Sequence, residues 1–235
     1  MIKVSGTMDI YYEVVGEGFP IICLHGNGED HHIFDDLKER LSLTYQLILI
    51  DSRYHGKSIC QGELSYEQMV EDVKKVVDEL HMTAYDVIGF SDGAIVSLLL
   101  GMQDQRLKHI VSIGANTKPQ MIKPFYRYTF LLQRIFLSVF ALYNPQAKKQ
   151  LKFYQLMLKE PHIEYDDLQK ITAPTLVLAG EMDMIQEKDT QMIGESIKYS
   201  VVKIIKGGNH FLLRDYFLKT FKEIELFLAI CHKEG

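Results

Sequence analysis

The sequence has few cysteines and no excess of basic residues, and both shortages narrow the class of protein. Only three of 235 residues are cysteines, and Cys23, Cys60 and Cys231 are scattered and never form a C-x-x-C pair. An odd, dispersed set predicts neither a disulfide framework nor a zinc site, and it is typical of reduced thiols. The net charge is −5, which argues against nucleic acid as a partner because phosphate binding needs concentrated Lys and Arg.

Long apolar runs are also absent. The longest, Phe130 to Tyr143, contains Gln133 and Arg134 and is shorter than the roughly 20 residues that cross a bilayer, so no transmembrane segment is predicted. The first residues, Met1 to Gly6, lack the apolar core and the small-residue cleavage site of a signal peptide. A single-domain protein with a cytoplasmic location is therefore expected.

Short β-branched runs alternate with longer helical patterns, which predicts an α/β fold with a mostly parallel sheet and crossover helices. Two opening strands, Ile2 to Val4 and Ile10 to Val15, are joined by a short turn around Gly6 and are expected to be antiparallel. Buried strands are then predicted at 21–24, 46–50, 86–90, 109–113, 175–179 and 200–205. Helices are predicted at 32–43, 65–80, 94–103, 187–197 and 211–230.

One long stretch, Asn116 to Lys170, interrupts this alternation and contains no convincing strand. Its many aromatic residues argue against disorder, so we predict a helical cap, inserted between the core segments 1–115 and 171–235. The cap holds nine basic and four acidic residues. An apolar face from Phe130 to Tyr143 is expected to roof the site, with Phe136 among its members, and the basic side chains to form its rim.

A G-x-S-x-G motif, Gly89-Phe90-Ser91-Asp92-Gly93, stands between a predicted strand and a predicted helix. This is the context of a nucleophile elbow, in which a tight turn exposes the serine and requires small flanking residues. Alone, the motif also fits a plain turn whose serine caps a helix. A second loop, His25-Gly26-Asn27-Gly28, follows an upstream strand. The backbone N–H groups of Asn27 and Asp92 are the candidates for an oxyanion hole.

Two later loops supply an acid and a base. Asp183 follows the strand at 175–179, and His210 follows the strand at 200–205. Both loops lie at the sheet edge where Ser91 emerges and where ligands bind in open α/β sheets. Glu181 or Asp189 remains possible as the acid that orients the histidine, and Asp183 is favoured because it lies in the turn directly after its strand.

Together with the segment Asp51-Ser52-Arg53-Tyr54-His55-Gly56-Lys57-Ser58, these motifs resemble the α/β-hydrolase superfamily over most of the chain. The resemblance implies an eight-stranded sheet, a cap inserted after the sixth strand and no cofactor. It also implies a catalytic triad of Ser91, Asp183 and His210, with Asn27 and Asp92 at the oxyanion positions. Tyr54 stands where glycine is common, which is a departure at that turn.

The predicted reaction is hydrolysis of a small carboxylic ester or thioester through an acyl-enzyme intermediate. The substrate is expected to be a small molecule with an apolar acyl group. The same triad cleaves carbon-carbon bonds, lactones and amides in this superfamily, so the bond type stays open. A non-catalytic ligand-binding protein is the alternative from another class.

Two weaker signals point to other ligands. Gly26-Asn27-Gly28 has His31 where a dinucleotide-binding motif needs its third glycine, so nucleotide binding is not predicted. The residues His31, His32, Asp35 and Asp36 have a spacing compatible with a metal. A solvated helix face is the commoner explanation, and no metal is predicted.

Overall fold

The computed structural model describes residues 2–4, 8–60 and 62–233. Its strands are β1 (Ile2–Val4), β2 (Met8–Ile10), β3 (Tyr12–Val15), β4 (Phe19–Leu24), β5 (Tyr45–Ile50), β6 (Tyr85–Phe90), β7 (Leu107–Ile113), β8 (Thr175–Gly180) and β9 (Ser200–Ile205). Its α-helices are α1 (Asp35–Leu41), α2 (Tyr66–Glu79), α3 (Asp92–Gln103), α4 (Pro124–Phe140), α5 (Pro145–Lys159), α6 (Tyr165–Leu168), α7 (Glu187–Ser196), α8 (Leu212–Asp215) and α9 (Phe217–Cys231). Short 3-10 helices span His31–Phe34 and Pro119–Met121.

Seven strands form the main sheet, in the order β3-β5-β4-β6-β7-β8-β9. Only the edge strand β3 runs antiparallel to its neighbour, and the other pairs are parallel. The predicted α/β class with a mostly parallel sheet is confirmed. In β6 and β8 every residue is buried, because helices cover both faces of a parallel sheet.

The predicted strand count of eight is wrong, because the opening segment divides differently. β1 pairs with β2 in a separate two-stranded antiparallel sheet, and Tyr11 separates β2 from β3. The predicted strand from Ile10 to Val15 therefore contributes to two sheets. The predicted turn at Gly6 lies outside the described residues.

Helix boundaries agree with the sequence patterns at α2 and differ at the last helix. Ser65 caps α2, since its hydroxyl accepts a hydrogen bond from the backbone N–H of Gln68 at 3.3 Å. The predicted helix at 211–230 is interrupted at Tyr216, whose φ of −130° leaves the helical region and separates α8 from α9.

The helices α4, α5 and α6 occupy the segment between β7 and β8, where the sequence predicted a cap. In the described part of this segment the only β contact is an isolated bridge from Ile122 to Ile185. None of the helices in the described ranges combines the length and apolar character that crossing a bilayer requires.

Parallel strand order determines where the functional loops meet. The strands β4, β6, β8 and β9 all end at the same edge of the sheet. The loops that follow them carry Asn27, Ser91, Asp183 and His210, residues that are far apart in the sequence. The fold therefore brings the four predicted loops to one edge.

Candidate active site

Ser91 lies in a sharp turn between β6 and α3 with φ 53° and ψ −115°, a backbone conformation that L-residues seldom adopt. Space around the turn is minimal. A Cβ atom on Gly93 would lie 2.0 Å from the carbonyl oxygen of Leu24, and one on Gly89 would lie 2.2 Å from the carbonyl oxygen of Gly93. Both motif glycines are thus required by the close approach of backbone segments.

Two hydrogen bonds hold this turn against the neighbouring strands. The N–H of Ser91 donates to the carbonyl of Ile113 at 2.8 Å, and the N–H of Gly93 donates to that of His25 at 3.1 Å. Helix α3 begins at Asp92, so the N–H of Asp92 belongs to the first turn, whose donors have no partner within the helix. That donor is therefore available beside the serine hydroxyl.

The side chains of Ser91, His210 and Asp183 form a continuous hydrogen-bonded chain. Ser91 Oγ lies 2.9 Å from His210 Nε2, and His210 Nδ1 lies 2.7 Å from Asp183 Oδ1. Both His210 and Asp183 are buried. Burial opposes ionisation of Asp183, but the charge of His210 and hydrogen bonds from His210 and the N–H of Ile185 hold its pKa below the ordinary value.

The other two candidate acids have different partners. Glu181 accepts a hydrogen bond from the N–H of Gly207 at 2.8 Å. Asp189 is buried and accepts hydrogen bonds from the backbone and hydroxyl of Thr117 and from the hydroxyl of Tyr165. Of the three carboxylates, Asp183 is the one that contacts His210.

The glycine-rich loop after β4 is held by side chains on either side of Asn27. The N–H of Gly26 donates to Glu29 Oε2 at 3.3 Å, and the N–H of Gly28 donates to His55 Nε2 at 3.0 Å. Within the described residues, no hydrogen bond occupies the N–H of Asn27. The loop therefore has an unoccupied donor at the position the sequence indicated.

His55 supports this loop as a neutral ring. Burial and the adjacent His25 lower its pKa to about 3, and its Nδ1 donates to the carbonyl of Arg53 at 2.9 Å. Its ring also stacks on Phe153 of α5, with ring centres 4.2 Å apart. His55 belongs to the Asp51 to Ser58 segment on which the resemblance to the superfamily partly rests.

The unusual Tyr54 adopts the conformation that glycine usually supplies, with φ 65°. Its hydroxyl donates to the carbonyl of Gly62 at 2.7 Å, and the ammonium of Lys152 lies 4.0 Å from the centre of its ring. These contacts stabilise a left-handed residue whose side chain is half-buried, so the turn forms without glycine.

Ser91 opens into a small cavity of about 20 Å³ under the inserted helices. Its apolar lining comes from Ile122, Phe130, Met157, Met184 and Ile185. A larger and more polar pocket of about 330 Å³ lies between the Asn27 loop and the helices α4 and α5. Met157 lines both spaces.

The predicted roof is only partly correct. Phe130 lines the cavity beside Ser91, and Leu137 lines the larger pocket. Phe136 is 59% exposed and contacts Phe140, which is also exposed, so the expectation that it faces the site is wrong. Apolar residues occur around most of the circumference of α4, and only one side of the helix packs against the core.

Two further carboxylates lie near the serine with raised pKa values. Burial raises the pKa of Asp92 to about 6, and the hydroxyl of Tyr66, which donates to it at 2.8 Å, opposes that rise. Burial likewise raises the pKa of Glu29 to about 7. Sequence reasoning missed Tyr66 and Glu29, because neither belongs to a motif that predicts a contact with the site.

Metal-ligand types cluster in two places in the described ranges, Asp30 with His31 and His32, and Asp86 with His109 and His232. In the second cluster each histidine hydrogen-bonds one carboxylate oxygen of Asp86, at 2.8 and 2.7 Å. Asp86 stands near the beginning of β6, roughly 13 Å from its far end at an ordinary rise per residue. Neither cluster includes Ser91, His210 or Asp183.

A mostly parallel sheet whose strand-end loops join a serine, a histidine and an aspartate by hydrogen bonds defines the architecture of serine hydrolases with an α/β core. A family model described as the alpha/beta hydrolase fold matches residues 20–147, which is more than half of the chain. The protein belongs to this family.

Similar proteins are found both in sequence and in structure. The AB hydrolase superfamily protein YisY of Bacillus subtilis is 25% identical over 244 residues, covering 89% of this chain and 91% of that protein. A pimeloyl-[acyl-carrier protein] methyl ester esterase of Legionella pneumophila is 22% identical over 214 residues, covering 80% and 85%. A thermophilic esterase from Thermogutta terrifontis superposes with a TM-score of 0.79 at 18% identity, covering 98% and 96%, which shows a common fold.

Replacing Asp92 with asparagine should stabilise the protein in a pH-dependent way. The native pKa of about 6 lies above the ordinary 3.8, so the folded protein binds this proton more tightly than the unfolded chain. The cost of burying the charge is absent at low pH and is complete above about pH 6. The stability gain of Asp92→Asn, measured by chemical denaturation, should therefore be roughly 2 kcal/mol larger at about pH 8 than at about pH 4.

The control for this measurement is Asp166→Asn, which removes an exposed carboxylate from the first turn of α6. It should change the free energy of unfolding by less than about 0.5 kcal/mol at either pH. A gain at Asp92 that does not depend on pH would contradict the raised pKa.

Proposed function

We propose that this protein is a serine hydrolase that cleaves small carboxylic esters or thioesters through an acyl-enzyme intermediate. Ser91 is the nucleophile, His210 is the general base and then the general acid, and Asp183 orients the imidazole and stabilises its charged form. The backbone N–H groups of Asn27 and Asp92 form the oxyanion hole. The catalytic residues thus come from four different loops.

One observation carries this proposal, the hydrogen-bonded chain from Ser91 Oγ through His210 to Asp183, with distances of 2.9 and 2.7 Å. Serine is a weak nucleophile at neutral pH and needs a base within hydrogen-bond reach, which His210 provides. Each imidazole nitrogen then has a defined partner, so the proton that leaves Ser91 is received at Nε2 while Nδ1 remains bonded to the carboxylate.

In the first half-reaction Ser91 Oγ attacks the carbonyl carbon, and the new negative charge on the carbonyl oxygen is held by the two backbone donors. His210 passes the proton to the leaving alcohol or thiol. In the second half-reaction His210 takes a proton from water, which attacks the acyl carbon and releases the acid while Ser91 recovers its proton. Apart from the substrate and water, both steps of this proposal use groups of this chain.

The lining of the cavity supports an apolar acyl group. The space in front of Ser91 has an apolar side, formed by Ile122, Phe130, Met157, Met184 and Ile185, and a polar side, formed by Tyr66, Asp92, Asn116 and Glu160. Methionine side chains rearrange readily, so the two methionines are the residues best able to adjust to an acyl chain. The esterase names of the relatives agree with this substrate class. We retain cytoplasmic location as a prediction.

Ser91→Ala should abolish ester hydrolysis and leave the fold intact, because alanine fits the turn and the hydroxyl is needed for chemistry. The turnover of p-nitrophenyl acetate should fall by about 10⁴-fold or more. Ser97→Ala is the matched control, since Ser97 lies in the same helix and its hydroxyl donates to the carbonyl of Ala94. A fluorophosphonate probe should label the wild type and Ser97→Ala but not Ser91→Ala.

Near-normal turnover by purified Ser91→Ala would reject the assignment. A wild type that neither reacts with the probe nor turns over esters, thioesters, lactones, amides or diketones would favour a ligand-binding protein. If the wild type turns over only another bond type, the assignment of the catalytic residues stands and the proposed ester or thioester substrate is wrong.

Asp183→Asn should reduce kcat much more than Glu181→Gln, because only Asp183 holds the imidazole in the productive orientation and stabilises its charge. The expected loss at Asp183 is about 10³- to 10⁴-fold, as for other triads whose aspartate is made neutral. Glu181 lies in the same loop, and a glutamine there still accepts the hydrogen bond from Gly207. Equal losses of kcat in the two variants would contradict the assignment of Asp183 as the acid that orients His210.

Met184→Ala should shift the acyl preference towards longer chains, because it enlarges the apolar side of the cavity beside Ser91. The ratio of kcat/KM for a hexanoyl ester to that for an acetyl ester should rise by about tenfold, the effect expected of one or two methylene groups in an apolar pocket. Met182→Ala, two residues away and 56% exposed, is the control and should leave the ratio unchanged. A uniform fall for all esters in Met184→Ala would contradict a role in acyl selection.

A further inference from the structure

The outward face of α4 and the turn after it carry a row of large apolar side chains that are exposed to solvent. Successive members are separated by one, three or four positions, which places them on one side of a helix. Each is between 47% and 90% exposed. We call this row the α4 stripe: Phe125, Tyr128, Leu132, Ile135, Phe136, Val139, Phe140 and Tyr143.

The size of the α4 stripe distinguishes it from ordinary exposed apolar residues. Eight side chains of this size, each at least about half exposed, present roughly 800 Å² of apolar surface. The largest apolar patch on a typical monomer is about 300–600 Å². The opposite side of α4 already provides its packing, since Leu137 is buried and Phe130 contacts the ring of Tyr154. The stripe is therefore not needed to hold the helix in place.

Basic residues accompany the stripe without any acidic ones. The α4–α5 hairpin, residues 124–159, contains six Lys and Arg and no Asp or Glu, in a chain whose net charge is −5. None of the six forms a salt bridge within the described ranges. They are Arg127, Arg134, Lys148, Lys149, Lys152 and Lys159. The hairpin that carries the stripe therefore has a net charge of +6.

The charge decides which occupant fits. A second copy of this chain, docked through the same stripe about a two-fold axis, would bring together two hairpins that each carry six positive and no negative side chains. Nucleic acid supplies negative charge but no apolar surface for the stripe. The surface of an anionic bilayer supplies both, because acyl chains lie just beneath negatively charged headgroups.

We propose that the α4 stripe docks on the surface of anionic phospholipid membranes. Helix α4 lies in the plane of the interface, with the stripe among the upper acyl chains and the basic side chains at the level of the headgroups. Tyr128 and Tyr143 suit this boundary, because an aromatic ring with a polar tip is favourable there. The contact is peripheral and reversible, and it does not depend on the reaction at Ser91.

The test is flotation of the purified full-length protein with lipid vesicles. Vesicles of phosphatidylcholine with about 30% phosphatidylglycerol should bind the protein about tenfold or more tightly than vesicles of phosphatidylcholine alone. Raising the salt to about 0.5 M should reduce the difference, because salt screens charges at the surface.

Two variants separate the apolar and the electrostatic contributions. Ile135→Ser/Phe136→Ser should weaken binding to the anionic vesicles by about tenfold or more, since two exposed apolar anchors are lost. Arg127→Gln/Arg134→Gln should weaken binding by about tenfold and remove most of the preference for anionic lipid. The matched control is Leu218→Ser/Leu226→Ser, which removes two exposed apolar residues from α9 and should leave binding unchanged.

The substituted side chains are exposed, and circular dichroism with thermal melting checks that each variant is folded. The proposal is overturned if the wild type binds neither vesicle, or if the α9 control weakens binding as much as the stripe variant. It is also overturned if light scattering shows a dimer that Ile135→Ser/Phe136→Ser dissociates while vesicles bind neither form, because a second copy would then cover the stripe.

Discussion

A serine backbone held in the left-handed region is the constraint on which the site depends. At φ 53° an L-residue is strained by roughly 1–2 kcal/mol, and the turn persists because strands on both sides bond to it. The hydrogen bonds from Ser91 to Ile113 and from Gly93 to His25 tie it to β7 and to the end of β4. Since Gly93 also touches the carbonyl of Leu24, helix α3 has no freedom to relax away from the sheet. The hydroxyl consequently has a fixed direction, towards His210.

The carboxylates near this serine differ in charge because their surroundings differ. Asp183 is buried, yet the imidazole and the N–H of Ile185 keep its pKa low. Asp92 and Glu29 lack a comparable cationic partner in direct contact, and burial raises their pKa values to about 6 and about 7. At neutral pH the most firmly ionised of the three is therefore the one bonded to the imidazole, which is the arrangement that stabilises a positive charge on His210.

Motifs that depend on short-range strand, turn and helix preferences could be predicted from the sequence. Contacts between segments distant in the sequence could not. The positions of Ser91 and His210 followed from glycine-rich loops at strand ends, because strand, turn and helix preferences are short-range. No such signal joins Tyr66 to Asp92, or Asp189 to Thr117, 72 residues apart. The strand break at Tyr11 was missed for a related reason. An alternating pattern continues through it, whereas the choice of partner strand is made by tertiary packing.

The orientation of α4 shows the same limit, and it connects the two proposals. Its apolar periodicity predicted a buried face, but periodicity does not say what covers an apolar face. Phe130 points to the cavity at Ser91, and Phe136 points away from it. A cavity of about 20 Å³ holds roughly one water molecule, so an acyl group enters only when the lining side chains move. Phe130 and Met157 belong to α4 and α5, which have four buried residues between them, and such weakly packed elements are displaced before the core strands are. The segment that must move to admit a substrate is therefore the same helical hairpin that presents the α4 stripe.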